Sequence, residues 1–157
     1  MPVQDFRINT KPAHAGDMYG LATTNSQRLT YNTEEAQTAY GLAVKQGKTS
    51  DSITLGAEET GEILGITMRE NKLEANKRPS DGTIGIPKGQ PLAVMLSGPI
   101  NVLFKTGITS KEVGVNDKGE FGAVGGEFKA CPNVHALEYP VTSGEVGAVM
   151  VNVFQAK

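Results

Sequence analysis

"LAVMLSGPINVLFKTG", Leu92 to Gly107, sets two apolar runs back to back across Ser97-Gly98-Pro99. Everything about the fold depends on whether this is a hairpin or one strand that bends. A two-residue hairpin over Gly98-Pro99 would put proline at the second turn position, where the favoured hairpin turns do not accept it. Pro99 has no ladder donor, and Gly98 tolerates positive φ. Those two properties predict a single strand with a bulge or kink that turns a sheet corner. Past the bend, Ile100, Val102 and Phe104 share one face, while Asn101, Leu103 and Lys105 share the other.

The flanking sequence has the same character. Glycine and proline (19 and 8 among 157 residues) punctuate short segments rich in Val, Ile, Leu and Thr, as in an all-β domain. Strands are predicted over 18–24, 40–46, 52–56, 62–70, 91–97 continuing into 100–106, 112–116, 120–124, 133–139 and 147–155. In the last of these Val149, Val151 and Val153 oppose Met150, Asn152 and Phe154. "EVGVNDKGEFGAV" reads as a hairpin turning at Asn116 to Gly119. Only "NTEEAQTAY" looks helical, as one or two turns or else a loop: Asn32 or Thr33 offers a cap, and Glu34 and Glu35 would sit at the positive end of the helix dipole. Residues 1–16, with Pro2 and Pro12 and little periodicity, read as an extended N-terminal arm, and 17–157 as one β domain. The fold class is therefore a single small β-sandwich or barrel of jelly-roll type behind an extended arm.

Composition excludes several functions. A net charge of −2 and a pI near 5.7 give no footprint for nucleic acid, and no Lys/Arg run marks a membrane surface. Apolar runs fall short of the ~18 residues that span a bilayer. The N-terminus lacks the apolar segment of a secretory signal, and a lone Cys131 excludes an internal disulfide; both fit synthesis in a reducing cytoplasm.

Catalytic and metal motifs are equally sparse. His14, His135 and Cys131 are the soft metal-ligand candidates, without CxxC or HExxH spacing. On a strand, Cys131 and His135 would share a face but stand about 13 Å apart, too far for a dyad. Ser97 and Ser143 lack a GxSxG elbow. "GAVGGEF", 122–128, lacks the strand–GxGxxG–helix setting of a dinucleotide site. Glu58, Glu59 and Glu62 read as a solvated turn, and "ENKLEANKRPSDG" as a mixed-charge loop able to make rim contacts with a partner. No cofactor and no metal are expected. An oligomeric nucleotide hydrolase would need loop carboxylates such as Asp17, Asp81 and Asp117 to converge. A carbohydrate- or receptor-binding module would need aromatic platforms, and the chain has no Trp and only Tyr19, Tyr31, Tyr40 and Tyr139.

The ordered phrases "KPAHAGDMYG", "EEAQTAYGLAVKQG", "GEILGITMREN", "IPKGQPLAVMLSGPINVLFKTG", "EVGVNDKGEFGAVG" and "GEVGAVMVNV" resemble the structural cement, or capsid decoration, proteins of tailed bacteriophages, over roughly residues 12 to 154. The resemblance implies a non-enzymatic role: binding the assembled shell of the phage major capsid protein and bracing it against internal DNA pressure. It implies a place on the virion exterior after synthesis in the host cytoplasm, and a homo-oligomer, trimer or dimer, matched to local shell symmetry. No nucleic acid or membrane partner is implied. Phe6, Arg7 and Lys11 are the candidate capsid contacts in the arm, one apolar anchor and two cations.

Overall fold

The computed structural model describes residues 14–19, 26–69 and 85–152. The expectations for 1–13, for Phe6, Arg7 and Lys11, for most of 18–24, for the 70–84 loop with Asp81, and for 153–157 lie outside the described residues.

The opening stretch is one strand. It belongs to β5, Pro91–Leu103, thirteen residues long and continuous through Gly98-Pro99. Its first half pairs antiparallel with β1, Gln27–Thr33, and with β4, Gly65–Thr67; its second half pairs with β9, Val146–Asn152, from Ser97 to Leu103. The bulge falls two residues before the glycine. Arg28 faces Met95 and Gln27 faces Ser97, so Leu96 is the extra residue. Gly98 then takes φ +139°, and a Cβ there would come within 2.9 Å of Ser26 Cβ. The extra residue shifts the phase of the strand. Ala93 and Met95 face the larger core before it; Ile100, Val102 and Phe104 face the same core after it.

β5 is shared by two sheet systems. With β1, β2 (Ala43–Gln46), β3 (Ser52–Leu55) and β4 it closes a five-stranded ring in the order β1-β3-β2-β4-β5-β1. Tyr31, Val44, Ile53, Val94 and Leu96 fill that ring. On the other side the order continues through β9, β8 (Lys129–Ala136), β6 (Glu112–Val115) and β7 (Phe121–Gly122). This sheet curls until Phe121 bridges Phe104 in parallel, with Lys105 N–H donating to the Phe121 carbonyl at 2.8 Å. Its inner face and the outward residues Ala43, Ile66 and Met95 of the ring share the larger core. The all-β class and the barrel hold. The β1–β3 pair, however, is parallel, whereas a jelly roll is two antiparallel Greek keys.

Two local expectations are corrected. No described residue is helical, and 32–40 instead ends β1 and turns. The two glutamates satisfy a neighbouring hairpin rather than a helix dipole. Glu34 accepts from Ser52 Oγ and from Lys48 N–H (2.6 Å), and Glu35 accepts from Leu55 N–H (2.7 Å). In β8, which begins at Lys129 rather than Asn133, the pairing with β6 jumps from Gly114–Ala130 to Glu112–His135. The bulged stretch between flips the phase, so Cys131 is buried in the core while His135 is exposed, not on a shared face. The Asn116–Gly119 hairpin forms as expected: Asn116 Oδ1 accepts from Lys118 and Glu120 N–H, and Gly119 has φ +77°.

The Glu34 cluster gives a pH prediction. The Ser52 hydroxyl, then the Lys48 amide, holds the Glu34 carboxyl below its ordinary value of 4.5. A carboxylate with a depressed folded pKa contributes stability above its unfolded pKa and loses it as pH falls through the folded value. Thermal melts of wild type and Glu34→Gln should therefore differ at neutral pH and converge below the carboxylate range. A gap that persists undiminished into acid would assign the effect to packing instead.

Candidate functional site

The residues with chemical potential are held apart. Burial pushes the Cys131 thiol up to about 11, and its Sγ lies 3.2 Å from Asn133 Oδ1; a nucleophile needs the opposite shift. Asp17 Oδ2 accepts from His14 N–H in a local turn, and the Asp17 carbonyl is bound by Asn101. The Asp117 side chain is 90% exposed, beside Lys129. Ser97 lies in the β5 ladder, and Ser143 Oγ donates to the Lys105 carbonyl at 2.6 Å. Among the described residues no three His, Cys, Asp or Glu side chains form a group able to hold a metal. Among the described residues there is no helix long and apolar enough to cross a membrane. The "GAVGGEF" glycines make a hairpin tip in which Gly125 and Phe128 exchange hydrogen bonds, both 3.0 Å.

What the described residues do display is a set of large apolar side chains left exposed. Residues of β5, β9 and β8 that point away from the larger core form the outer face of one rigid sheet. On it Leu103 pairs with Val146, and Leu137 lies beside Ala148, to whose carbonyl its N–H donates. Leu103 is 48% exposed, Leu137 44%, and Tyr139, two residues on, 52%. Pro99 pairs with Met150 further along, and the Tyr19 amide donates to the Pro99 carbonyl at the edge of β5; Tyr19 is also exposed. Exposed large side chains grouped on a stiff surface mark contact sites more often than singly scattered ones do. The alternation past the bend already placed Leu103 opposite the core set, which was the available signal. Leu137 and Tyr139 lie past the end of β8 at Ala136, where strand alternation no longer sets a direction.

Beside Leu103 the surface falls into a cleft of about 500 Å³, walled by the 36–42 loop, Leu55 and the ends of the curled sheet. Lys105 stands at its rim, 2.8 Å from Glu120 and 3.7 Å from Glu127. The hydrogen bond to Glu120 raises the Lys105 pKa, and the Lys105 ammonium lowers that of Glu120, so both stay charged near neutrality. Gln37, 2% exposed, lines the same cleft. Its Nε2 donates to Thr33 Oγ1 (3.1 Å), which donates to the Glu35 carbonyl (2.6 Å). That chain fixes the amide orientation and leaves the buried Oε1 without a donor among the described residues. Such an unpaired group costs about 1–3 kcal/mol.

Known proteins place this geometry. A family model described as Structural cement protein (E217 gp24/Pam3 gp6) matches residues 1–152. Among solved structures, the N base of the head fibre protein gp8.5 of bacteriophage phi29 is similar over 84% of this chain and 98% of that one, with a TM-score of 0.51 and 12% identity. That likeness speaks for the fold. No curated protein matches the sequence significantly. A match over nearly the whole chain carries the conclusion: the chain belongs to the phage structural cement protein family, a non-catalytic part of the virion capsid.

Proposed function

We propose that the protein grips the exterior of the assembled major capsid protein shell with the outer face of β5, β9 and β8, and bridges neighbouring capsomers there. The observation that carries this reading is the exposed set Leu103, Leu137 and Tyr139 on a sheet braced by two cores. A stiff body loses little conformational entropy on docking, so modest contacts keep their strength. Assembly of copies into a trimer or dimer would multiply them through effective concentration and match a local axis of the shell.

The arm belongs to the same proposal, confined to residues 1–13, because residues 14–19 run along β5: Gly16 N–H donates to Asn101 and Asn101 N–H to Asp17. Phe6, Arg7 and Lys11 would be its shell contacts. Its support is that the family match includes residues 1–13.

Co-sedimentation with expanded capsids tests both parts. Leu103→Glu with Leu137→Glu should weaken binding by about tenfold or more, since each lost hot spot is worth roughly 1–2 kcal/mol. Both positions are exposed, so the melting temperature of the free protein should hold. Deleting residues 2–12 should weaken attachment by a smaller factor. Undiminished binding by the double variant would remove this face from the mechanism, and undiminished binding by the truncation would remove the arm.

A further inference from the structure

We propose that the outer edge of β1 at Arg28 to Thr30 pairs antiparallel with the same edge of a second copy of this chain, about a two-fold axis through Leu29. This names where copies meet. It rests on the capsid reading only for the use of the pair on a shell, and its test needs no capsid.

The free edge follows from the ladder. Thr33 N–H donates to the Gln90 carbonyl and the Thr33 carbonyl accepts from Gly89, on the β5 side, whereas Asn32 N–H turns the other way, to the Asp51 carbonyl (2.8 Å). The register of β1 on β5 runs unbroken from Arg28 to Asn32. Alternation therefore aims the main-chain groups of Leu29 and Tyr31 at β5, and those of Arg28 and Thr30 away from it. β3 stops short of them, pairing with Asn32 and Thr33. Among the described residues nothing bonds these outward groups, and Gln27 to Thr30 are all exposed. An exposed strand with unpaired N–H and carbonyl groups is a template for another strand.

Self-complementarity selects the occupant. With Leu29 on the axis, Arg28 of each copy faces Thr30 of the other. Those are the residues whose groups point outward, so both pairs exchange their two main-chain bonds. The two Leu29 side chains meet with Cβ atoms about 4.5–5.5 Å apart. Leu29 lies opposite Val94 and two residues from Tyr31, so the contact extends the apolar face of the ring's core across the axis. Other registers fail. A slip by one residue sets outward groups against inward ones. An axis through Arg28 opposes two like charges. An axis through Thr30 needs the Asn32 N–H, which Asp51 already holds.

Sedimentation equilibrium of the free, full-length protein should show one chain passing to two as concentration rises. Thr30→Pro removes an N–H that no described residue binds, and should weaken the dimer about tenfold or more. Leu29→Glu, at a position 57% exposed, should weaken it as far by repulsion on the axis. Both variants should keep the wild-type melting temperature at concentrations where wild type is a monomer. With oxidised glutathione as oxidant, Leu29→Cys should bridge two copies. Thr30→Cys should not, since two Thr30 Cα atoms stand roughly 8 Å apart in this register. The native Cys131 is buried and gives no background. A chain that stays monomeric up to millimolar concentration overturns the proposal. So does a trimer, a dimer that survives both Thr30→Pro and Leu29→Glu, or a bridge that forms as readily at residue 30 as at 29. Each of these results leaves capsid binding through Leu103 and Leu137 standing, and loss of that binding in their variants leaves the dimer untouched.

Discussion

Phe104→Ala should cost about 3–5 kcal/mol, the range for emptying a buried aromatic site, and so lower the melting temperature by roughly 6–20 °C in a domain of this size. Phe104 is completely buried in the larger core. Its amide and carbonyl are tied to Glu145 (3.0 Å) and Gly144 (2.8 Å), and it bridges Phe121 where the sheet curls back on β5. The neighbours cannot collapse into the space. A Cβ on Gly147 would lie 2.9 Å from the Phe104 ring, so backbone already forms that wall. Leu103→Ala, one residue earlier on the same strand, should shift stability by no more than about 0.5 kcal/mol, because its side chain faces outward. The two substitutions should then exchange roles on capsids: folded Phe104→Ala protein should still sediment with shells, and Leu103→Ala should bind less well. Calorimetry and co-sedimentation on the same pair decide it. Equal destabilisation by both would mean that the phase of β5 past the bulge is misassigned.

That phase shows how far the sequence could be read. Gly98 and Pro99 announce the bend by what they lack, a Cβ and an N–H, and these are local facts. The Asn116–Gly119 turn is legible for the same reason, since Asn116 caps the turn with its own side chain. The location of the extra residue at Leu96 is not local; it is fixed by how β1 lies against β5. β1 itself gives little pattern, because four of its seven residues are exposed and Leu29 points to solvent. Glu34 and Glu35 resemble a helix start only while their partners are unknown. Those partners, Ser52 and the amides of Lys48 and Leu55, come from a hairpin 14 to 20 residues away. The contact face was half legible on the same grounds. Leu103 follows from simple alternation, whereas Leu137 and Tyr139 follow the end of β8 at Ala136, where no strand periodicity places them.

Stiffness is what a cement protein needs, and one glycine tests where this chain gets it. Gly61 adopts φ +86°, and a Cβ there would stand 2.1 Å from the Ala130 carbonyl oxygen. That oxygen is backbone at the start of β8, so it can give way only if the strand moves. The same loop is fastened again two residues on: Asn133 accepts from Ile63 N–H (3.2 Å) and donates to the Ile63 carbonyl (2.8 Å), with Ile63 and Cys131 buried in the larger core. Gly126 also has positive φ, +60°, but nothing lies within 4 Å of its Cβ position. Gly126→Ala should therefore cost only the left-handed backbone penalty of about 1–2 kcal/mol. Gly61→Ala should carry that penalty together with an overpacking term of about 1–3 kcal/mol, and displace β8 from the core. Hydrogen exchange should show the difference in kind: faster exchange confined to the hairpin tip for Gly126→Ala, and across β8 and its partners β6 and β9 for Gly61→Ala. Because β8 carries Leu137 toward the contact face, Gly61→Ala should also raise capsid melting less than wild type does, at equal occupancy. Matching exchange profiles for the two variants would show that the clasp between the 58–63 loop and β8 adds nothing to the rigidity of the body.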